Sequence, residues 1–207
     1  MPRRLLTLRT VRSAAAALTV TGSLLAAAPA HASASACTPW TSYVPGGAGV
    51  GQNRLQAVAV TSRQNAWAVD DYVAASGPAA RILHWTGGTW KPQHTPGPAG
   101  LQLYGIAAVS ASNAWAVGDF YNATAGRYET VILHWNGRTW SRVTSPSPSG
   151  AHAFLRGVAA TSASNAWAVG AYYPLTQASQ GRTFILHWNG HAWSRVPSPN
   201  MGAGVNA

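Results

Sequence analysis

The feature that most constrains this chain is a segment of about 50 residues that occurs three times. Each copy contains Asn-Ala-Trp-Ala-Val, then Ile-Leu-His-Trp, and then a further Trp. The anchor residues Asn65, Asn113 and Asn165 are spaced 48 and 52 residues apart. A match of this length that occurs three times predicts a repeat architecture in which every unit folds alike.

Each unit divides into four short β-strands. In the third unit we expect them at residues 155–161, 166–172, 183–188 and 193–196. The pairs Asn136-Gly137 and Asn189-Gly190 predict a hairpin between the third and fourth strands, because both residue types tolerate positive φ. Four strands in a unit of this length are typical of a β-propeller blade. The sequence therefore predicts an all-β fold made of three four-stranded, propeller-type blades.

The repeated segments also resemble known families. Ser-x-x-Asn-Ala-Trp-Ala-Val-Gly and His-Trp-Asn-Gly-x-x-Trp resemble blades of secreted actinobacterial propeller-like proteins, and the broader kelch and Asp-box repeat families. The resemblance covers residues 38–199. Trp135, however, stands where an Asp-box hairpin has its aspartate. The resemblance implies a propeller fold and no particular activity, and the missing aspartate argues against a sialidase.

The two ends of the repeat array bear on how a propeller closes. Residues 37–54 hold a lone strand, since Trp40–Pro45 is similar to Trp193–Pro197, and residues 200–207 resemble the linkers that lead into a further blade. Propellers normally have four to eight blades. We therefore expect either a truncated version of a longer propeller or a half that a second copy completes as a homodimer. The three blades are assigned to residues 55–98, 99–148 and 149–199.

Residues 1–36 read as a secretory signal peptide. Four arginines lie within the first twelve residues, Ala14–Ala30 is apolar and rich in alanine, and small residues offer cleavage sites before Cys37. The apolar stretch is shorter than a membrane span requires. The sequence therefore predicts a secreted, extracellular protein without a membrane span. A lipid anchor on Cys37, the single cysteine, is the alternative.

The composition argues against most catalytic mechanisms. The chain has four carboxylates, Asp70, Asp71, Asp119 and Glu129, whereas glycosidases need a pair at a set separation. Asp71 and Asp119 occupy equivalent positions in their units, and the third unit has Ala171 there. No glycine-rich phosphate loop precedes a helix. We assign no catalytic residue, although a carboxylate pair from neighbouring blades remains open.

Charge and histidine content do not indicate a nucleic-acid or metal-binding protein. The net charge is +10, and four of the arginines lie in the signal region. His84, His134 and His187 fall on the third strand of different blades and should not converge on one ion. We predict no metal and no cofactor, with each histidine bonded locally.

We expect the three anchor asparagines to serve turns. Six repeated tryptophans should pack the core: residues 67, 90, 115, 140, 167 and 193.

The loops carry the functional signal. The connections between the second and third strands, and those between blades, differ among the copies, whereas the other connections are nearly identical. In a propeller the two variable sets share one face, and loops on a rigid scaffold are a usual binding surface. This face predicts a ligand site at Tyr72, Tyr121, Arg127, Tyr128, His152, Tyr172 and Tyr173.

The preferred interpretation is a secreted, non-catalytic binding or scaffold module, for carbohydrate or for a cell-wall polymer. The first alternative is a hydrolase or lyase that acts on extracellular polysaccharide with the same scaffold. The second alternative is a truncated remnant of a longer propeller protein. The scarcity of carboxylates favours the non-catalytic module.

Overall fold

A computed structural model of the chain describes residues 53–177 and 180–200. The predicted signal peptide, the lone strand around Trp40, Cys37 and residues 201–207 lie outside the described residues. Within these residues no helix could span a membrane. The twelve strands are β1 Asn53–Ser62, β2 Asn65–Ala74, β3 Gly77–Trp85, β4 Trp90–Gln93, β5 Gln102–Ser110, β6 Asn113–Asn122, β7 Arg127–Trp135, β8 Trp140–Val143, β9 Ala151–Ser162, β10 Asn165–Pro174, β11 Arg182–Trp188 and β12 Trp193–Val196.

These strands form three separate four-stranded antiparallel sheets, in the order β1-β2-β3-β4, β5-β6-β7-β8 and β9-β10-β11-β12. We call them blades 1, 2 and 3. The predicted fold class is confirmed, and so are the four strands of each unit. The first two strands of blade 3 extend further than the sequence indicated, because Ala151–His152 and Tyr173–Pro174 also pair.

The connection between the third and fourth strands differs from the predicted tight hairpin. Trp135 pairs with Trp140, so four residues connect the strands. Only Gly137 has a positive φ, of 95°, while the Asn136 side chain accepts hydrogen bonds from the amides of Arg138 and Thr139 at 2.9 and 3.0 Å. Asparagine therefore stabilises this turn through its side-chain oxygen, as in an Asx turn, and not through a left-handed backbone.

The first strand of every blade contains a β-bulge. The extra residues are Gln56, Tyr104 and Arg156, at the same position in each unit. Opposite the second bulge lies Gly118, where an added Cβ would stand 1.8 Å from the carbonyl oxygen of Gln102. The close approach requires glycine there, and the bulge turns the extra side chain in a new direction.

Each blade has two unlike faces. The Trp face carries the tryptophan and valine of Asn-Ala-Trp-Ala-Val, and the Ala face carries its two alanines, because side chains alternate along a strand. Trp67 on the Trp face of blade 1 packs against Trp135 and Trp140 on the Ala face of blade 2, with ring centroids 4.9 and 5.2 Å apart. Small alanines leave room for the incoming ring, so the two faces are complementary.

The same junction forms a second time. Trp115 of blade 2 packs against Trp188 and Trp193 of blade 3, at 5.1 and 5.2 Å. The two junctions are the two hydrophobic cores of the described chain. Four of the six tryptophans expected in the core are buried there, namely Trp67, Trp115, Trp140 and Trp193. Trp90 is half-buried and Trp167 is exposed, so the expectation was wrong for these two.

The repeated histidines are bonded locally, as the sequence predicted. His84 lies flat on Trp67 with ring centroids 3.9 Å apart, and its Nε2 lies 2.7 Å from Oδ1 of Asn65. Burial lowers the pKa of His84 and also that of His134. The turn role expected for the asparagines holds in part. The Ser62 hydroxyl accepts from the turn amide of Gln64 at 3.2 Å, while Nδ2 of Asn65 donates across the same turn to Oγ1 of Thr61 at 2.5 Å. The asparagine side chain also connects the second and third strands through the histidine.

Candidate binding surface

Strand alternation divides the predicted ligand residues into two groups. Tyr121 on β6 and Tyr173 on β10 point to one side of their strands, whereas Phe120 and Tyr172 point to the other and are buried in the two cores. The prediction placed Tyr172 and Tyr173 in one site because both lie at the face that carries the variable connections. The structure separates them.

One group forms a continuous strip of rings across blades 2 and 3. Tyr128 contacts Tyr121 at 5.3 Å, His152 at 5.7 Å and Phe154 at 5.2 Å between ring centroids. Phe154 in turn contacts Tyr173 at 5.9 Å. We call these five residues the aromatic strip. Edge-to-face and tilted arrangements of this kind are the favoured geometries for aromatic pairs.

The strip is both exposed and rigidly held. Tyr121 is 50% exposed and Tyr128 is 37% exposed, large fractions for aromatic side chains. All five rings stand on strands, and the Tyr128 amide donates a hydrogen bond to Nδ1 of His152 at 3.1 Å, which ties β7 to β9. This bond also fixes the tautomer of His152, because the accepting nitrogen carries no proton. The strip is therefore a preformed surface.

A buried carboxylate, Asp119, lies near the middle of the strip, because its partner Arg156 stacks on Phe154, which contacts both Tyr128 and Tyr173. Arg156 stacks on Tyr104 and Phe154, at 4.0 and 5.1 Å, and its Nη1 is 3.2 Å from Oδ2 of Asp119. Burial raises the pKa of Asp119 to about 6, although Arg156 opposes the shift. Burial and the charge of Asp119 likewise raise the pKa of Tyr104. Arg156 is the only cation that contacts the strip among the described ring and ion-pair contacts, and it is paired.

Among the described contacts, Arg127, Tyr72 and Tyr172 make none with the rings of the strip, although Arg127 stands directly beside Tyr128 on β7. Arg127 forms an ion pair with Glu129 at 2.7 Å, and Glu129 also accepts from Asn122. Tyr172 accepts a hydrogen bond from Nη2 of Arg195 at 2.9 Å. Burial alone would raise the pKa of Tyr172, but hydrogen bonds and charge from Arg195 and Arg182 bring it below its ordinary value. Tyr72 lies under the guanidinium of Arg81, 5.8 Å from the ring centroid. All three residues therefore make contacts within their own blades that stabilise the fold.

Sequence reasoning missed Phe154, Tyr104 and Arg156. A signal for Phe154 was present, because it stands two residues after His152 and therefore on the same side of β9. No such signal existed for Tyr104 and Arg156. The bulges turn these two side chains, and a bulge cannot be recognised from the repeated sequence before the strand pairing is known.

Blade 1 contains a cavity that is separate from the aromatic strip. A cavity of about 230 Å³ is lined by Tyr72, Ala80, Thr95 and the linker from Gly97 to Leu101. In blade 2 the corresponding space is closed by Thr130, whose hydroxyl lies 2.5 Å from that of Ser145 and 2.9 Å from that of Ser147.

Blade 3 repeats the closure with Thr183, which bonds Ser198 at 2.5 Å and Asn200 at 3.1 Å. Blade 1 has Ala80 in place of the threonine and Gly97 in place of the second partner. The cavity therefore follows from two substitutions in the repeat.

No family model and no curated protein matches the sequence. Among solved structures, the chain is similar to one described as YCF48 bound to D1 peptide, with a TM-score of 0.45 and 13% sequence identity. The match covers 75% of this chain and 44% of that chain, so this chain spans less than half the length of that protein. The resemblance to actinobacterial, kelch and Asp-box repeats stays a prediction.

Proposed function

We propose that this protein is an extracellular, non-catalytic module that binds a neutral polysaccharide along the aromatic strip. The observation that carries the proposal is the strip itself: five rings in contact across two blades, with Tyr121 and Tyr128 exposed. The apolar faces of sugar rings stack on aromatic side chains, whose π faces carry partial negative charge.

Charge supports an uncharged ligand. The cation that touches the strip, Arg156, is paired with Asp119, and Arg127 is paired with Glu129. Paired guanidinium groups offer little to a phosphate or carboxylate, because a new anion would have to displace the existing partner. The export signal predicted for residues 1–36 supports an extracellular location, where such polymers occur.

The test is binding of the full chain to chito- and cello-oligosaccharides by isothermal titration, and to insoluble peptidoglycan by sedimentation. Tyr121→Ala and Tyr128→Ala should each weaken the affinity about fivefold, because one stacking contact is worth about 1 kcal/mol. Tyr72→Ala, which removes a tyrosine outside the strip, is the matched control and should leave the affinity unchanged. Equal losses in all three variants would contradict the assignment.

A hydrolase or lyase on the same surface is the second candidate. Asp119 favours it, because a carboxyl with a pKa of about 6 can serve as a proton donor near neutral pH. Asp119→Asn separates the two functions. An enzyme would retain binding and lose the release of reducing ends or unsaturated products, whereas a binding module would release none with either protein.

We also propose that the protein partner of this chain is a second copy of it. Two copies with three blades each would give six, within the range that propellers adopt. Pairing and glycan binding would share part of one face, because Tyr173 projects from the same side of β10 as Trp167 and Val169, whereas Tyr121 and Tyr128 stand on blade 2.

A further inference from the structure

The two outer faces of the blade array differ from all the inner faces. On the Trp face of blade 3, Trp167 is 41% exposed and Val169 is 47% exposed. Their equivalents Trp67, Trp115 and Val69 are fully buried by the Ala face of the next blade. The local structure is nevertheless the same, since Trp167 lies 4.2 Å from His187 as Trp115 lies 4.1 Å from His134.

The opposite end shows the complementary exposure. On β1 in blade 1, Leu55, Val58 and Val60 point to the Ala face, because they pair with Asp70, Ala68 and Ala66. These three side chains are 58%, 62% and 66% exposed. The equivalents Leu103 and Leu155 in blades 2 and 3 are fully buried at the junctions. Every internal junction joins a Trp face to an Ala face. The described chain leaves one of each exposed: the Trp face of blade 3 and the Ala face of blade 1.

We propose that these two patches are a head-to-tail interface between two copies of this chain, in which the Trp face of blade 3 packs on the Ala face of blade 1 of the partner copy. The inference deepens the pairing proposed above and does not depend on glycan binding. Contiguous exposed apolar surface commonly marks an interaction site. The two internal junctions show which surface fits a Trp face, namely the Ala face of another blade. A second copy of this chain presents such a face on blade 1.

Ring geometry supports the fit. The two internal junctions receive a tryptophan against a tilted pair, Trp135 with Trp140 and Trp188 with Trp193, each pair 5.9 Å apart. Blade 1 carries the equivalent pair, Trp85 and Trp90, at 5.7 Å and a similar tilt. The Ala face of blade 1 therefore repeats the arrangement that accepts Trp67 and Trp115 elsewhere.

Polar residues at the proposed junction are also compatible. The 2–3 junction contains the ion pair between Asp119 and Arg156. At the proposed junction the equivalent positions are Ala171 and Gln56, and Gln56 already donates to Asp71 of its own blade at 2.5 Å. No charge would be buried without a partner at these two positions, and the Asp70–Arg81 ion pair, which also lies on the Ala face of blade 1, is already formed within its own blade.

Such an interface is heterologous, since two different surfaces meet. Heterologous contacts close into a ring when the rotation allows it and otherwise give open chains of copies. With two copies, closure forms both head-to-tail junctions and covers all four exposed patches. The proposal is this closed pair.

The test is sedimentation velocity of the full chain over a hundredfold range of concentration, with Val58→Glu, Val169→Glu and the control Leu175→Glu. Leu175 is 45% exposed and lies on neither face. The wild type and the control should sediment as a dimer, twice 21.6 kDa. Each face variant should sediment as a monomer with an unchanged circular dichroism spectrum, because its substituted side chain is already exposed.

An equimolar mixture of the two face variants makes the test specific. One variant keeps an intact blade 3 face and the other an intact blade 1 face, so the mixture should regain a dimer through one junction, with weaker affinity than the wild type. A monomeric wild type would overturn the proposal. A dimer that survives Val58→Glu but not Val169→Glu would overturn it too, since blade 3 would then meet blade 3. A ladder of larger species would overturn closure.

Glycan binding by the monomeric Val58→Glu variant separates this proposal from the function of the strip. Retained binding with lost pairing would show that the strip binds glycan without the dimer, although Tyr173 lies on the Trp face of blade 3. A dimer that binds none of the tested glycans would contradict the proposed function and leave the interface standing.

Discussion

Trp115 and Trp167 occupy the same position in adjacent blades, yet one is fully buried and the other is 41% exposed. Their local surroundings agree: each ring lies on a histidine of the neighbouring strand, at 4.1 and 4.2 Å. The difference arises solely from the next sheet, because blade 3 covers Trp115 and no described residue forms a further blade over Trp167. The blade sets the local geometry, and the neighbouring blade supplies the burial energy.

The largest expected effect tests the difference in burial between Trp115 and Trp167. Trp115→Ala should lower the free energy of unfolding by about 3–5 kcal/mol, the usual cost of a large cavity in a core. Trp167→Ala should cost less than about 2 kcal/mol at concentrations below that of pairing, since part of the ring already contacts water. Chemical denaturation followed by circular dichroism measures both, and equal losses would contradict the difference in burial.

If two copies pair head to tail, the stability cost of Trp167→Ala depends on the protein concentration. The cost of Trp167→Ala should then rise as the protein concentration is raised, because association stabilises only the folded state. The cost of Trp115→Ala should stay constant.

The second prediction concerns Asp119 in blade 2, where blade 3 has Ala171. The pKa of Asp119 is raised from 3.8 to about 6, so between these values the folded chain holds a proton that the unfolded chain has released. This group therefore favours folding fully below about pH 3.8, and that contribution is lost as the pH rises to about 6. The loss is on the order of 2–3 kcal/mol.

Asp119→Asn removes this titration. Unfolding free energies of wild type and variant across pH 4 to 7 should therefore diverge, with the variant gaining relative stability as the pH rises. Burial lowers the pKa of His134 and that of the equivalent His84 in blade 1. Both groups therefore favour folding above the unfolded value of 6.5, and that contribution is lost as the pH falls through their lowered pKa values. The histidines are shared by wild type and variant and cancel in the difference. A difference independent of pH would contradict the assignment to Asp119.

The smallest effect compares the linkers of blades 1 and 2. Thr130→Ala should cost about 1–3 kcal/mol, because the Ser145 and Ser147 hydroxyls lose their bonds to the buried Thr130 hydroxyl. The reverse change in blade 1, Ala80→Thr, should contribute about 0.5–1 kcal/mol by bonding Thr95 and filling part of the cavity. Thermal unfolding of the two variants measures both signs, and a destabilised Ala80→Thr would show that the cavity cannot accept the side chain.

Much of the fold could be predicted from the repeat. The twelve strands, their antiparallel order within each unit and the local bonding of the histidines all follow from the periodic placement of Trp, His and Asn, because these contacts connect residues within one blade. The Asx turn at Asn136 and the bulges at Tyr104 and Arg156 could not be predicted, since each depends on which backbone groups face each other across the strands.

The candidate site was predicted in part. The variable connections indicated Tyr121, Tyr128, His152 and Tyr173, and the structure brings these four together with Phe154. The same criterion also selected Tyr72, Arg127 and Tyr172, which bond within their own blades. Loop variability identifies the end of the blade where side chains are free to differ, but it does not identify the side of the strand from which each one projects.

The sequence by itself determined the blade: its four strands and its alternation of a Trp face with an Ala face, because these are short-range contacts that recur with the repeat. Only the tertiary structure decided which of those faces are covered and which rings meet in the aromatic strip. Burial and ring stacking between blades depend on residues from different units. Units with similar sequences therefore differ in burial, because they occupy different positions in the array.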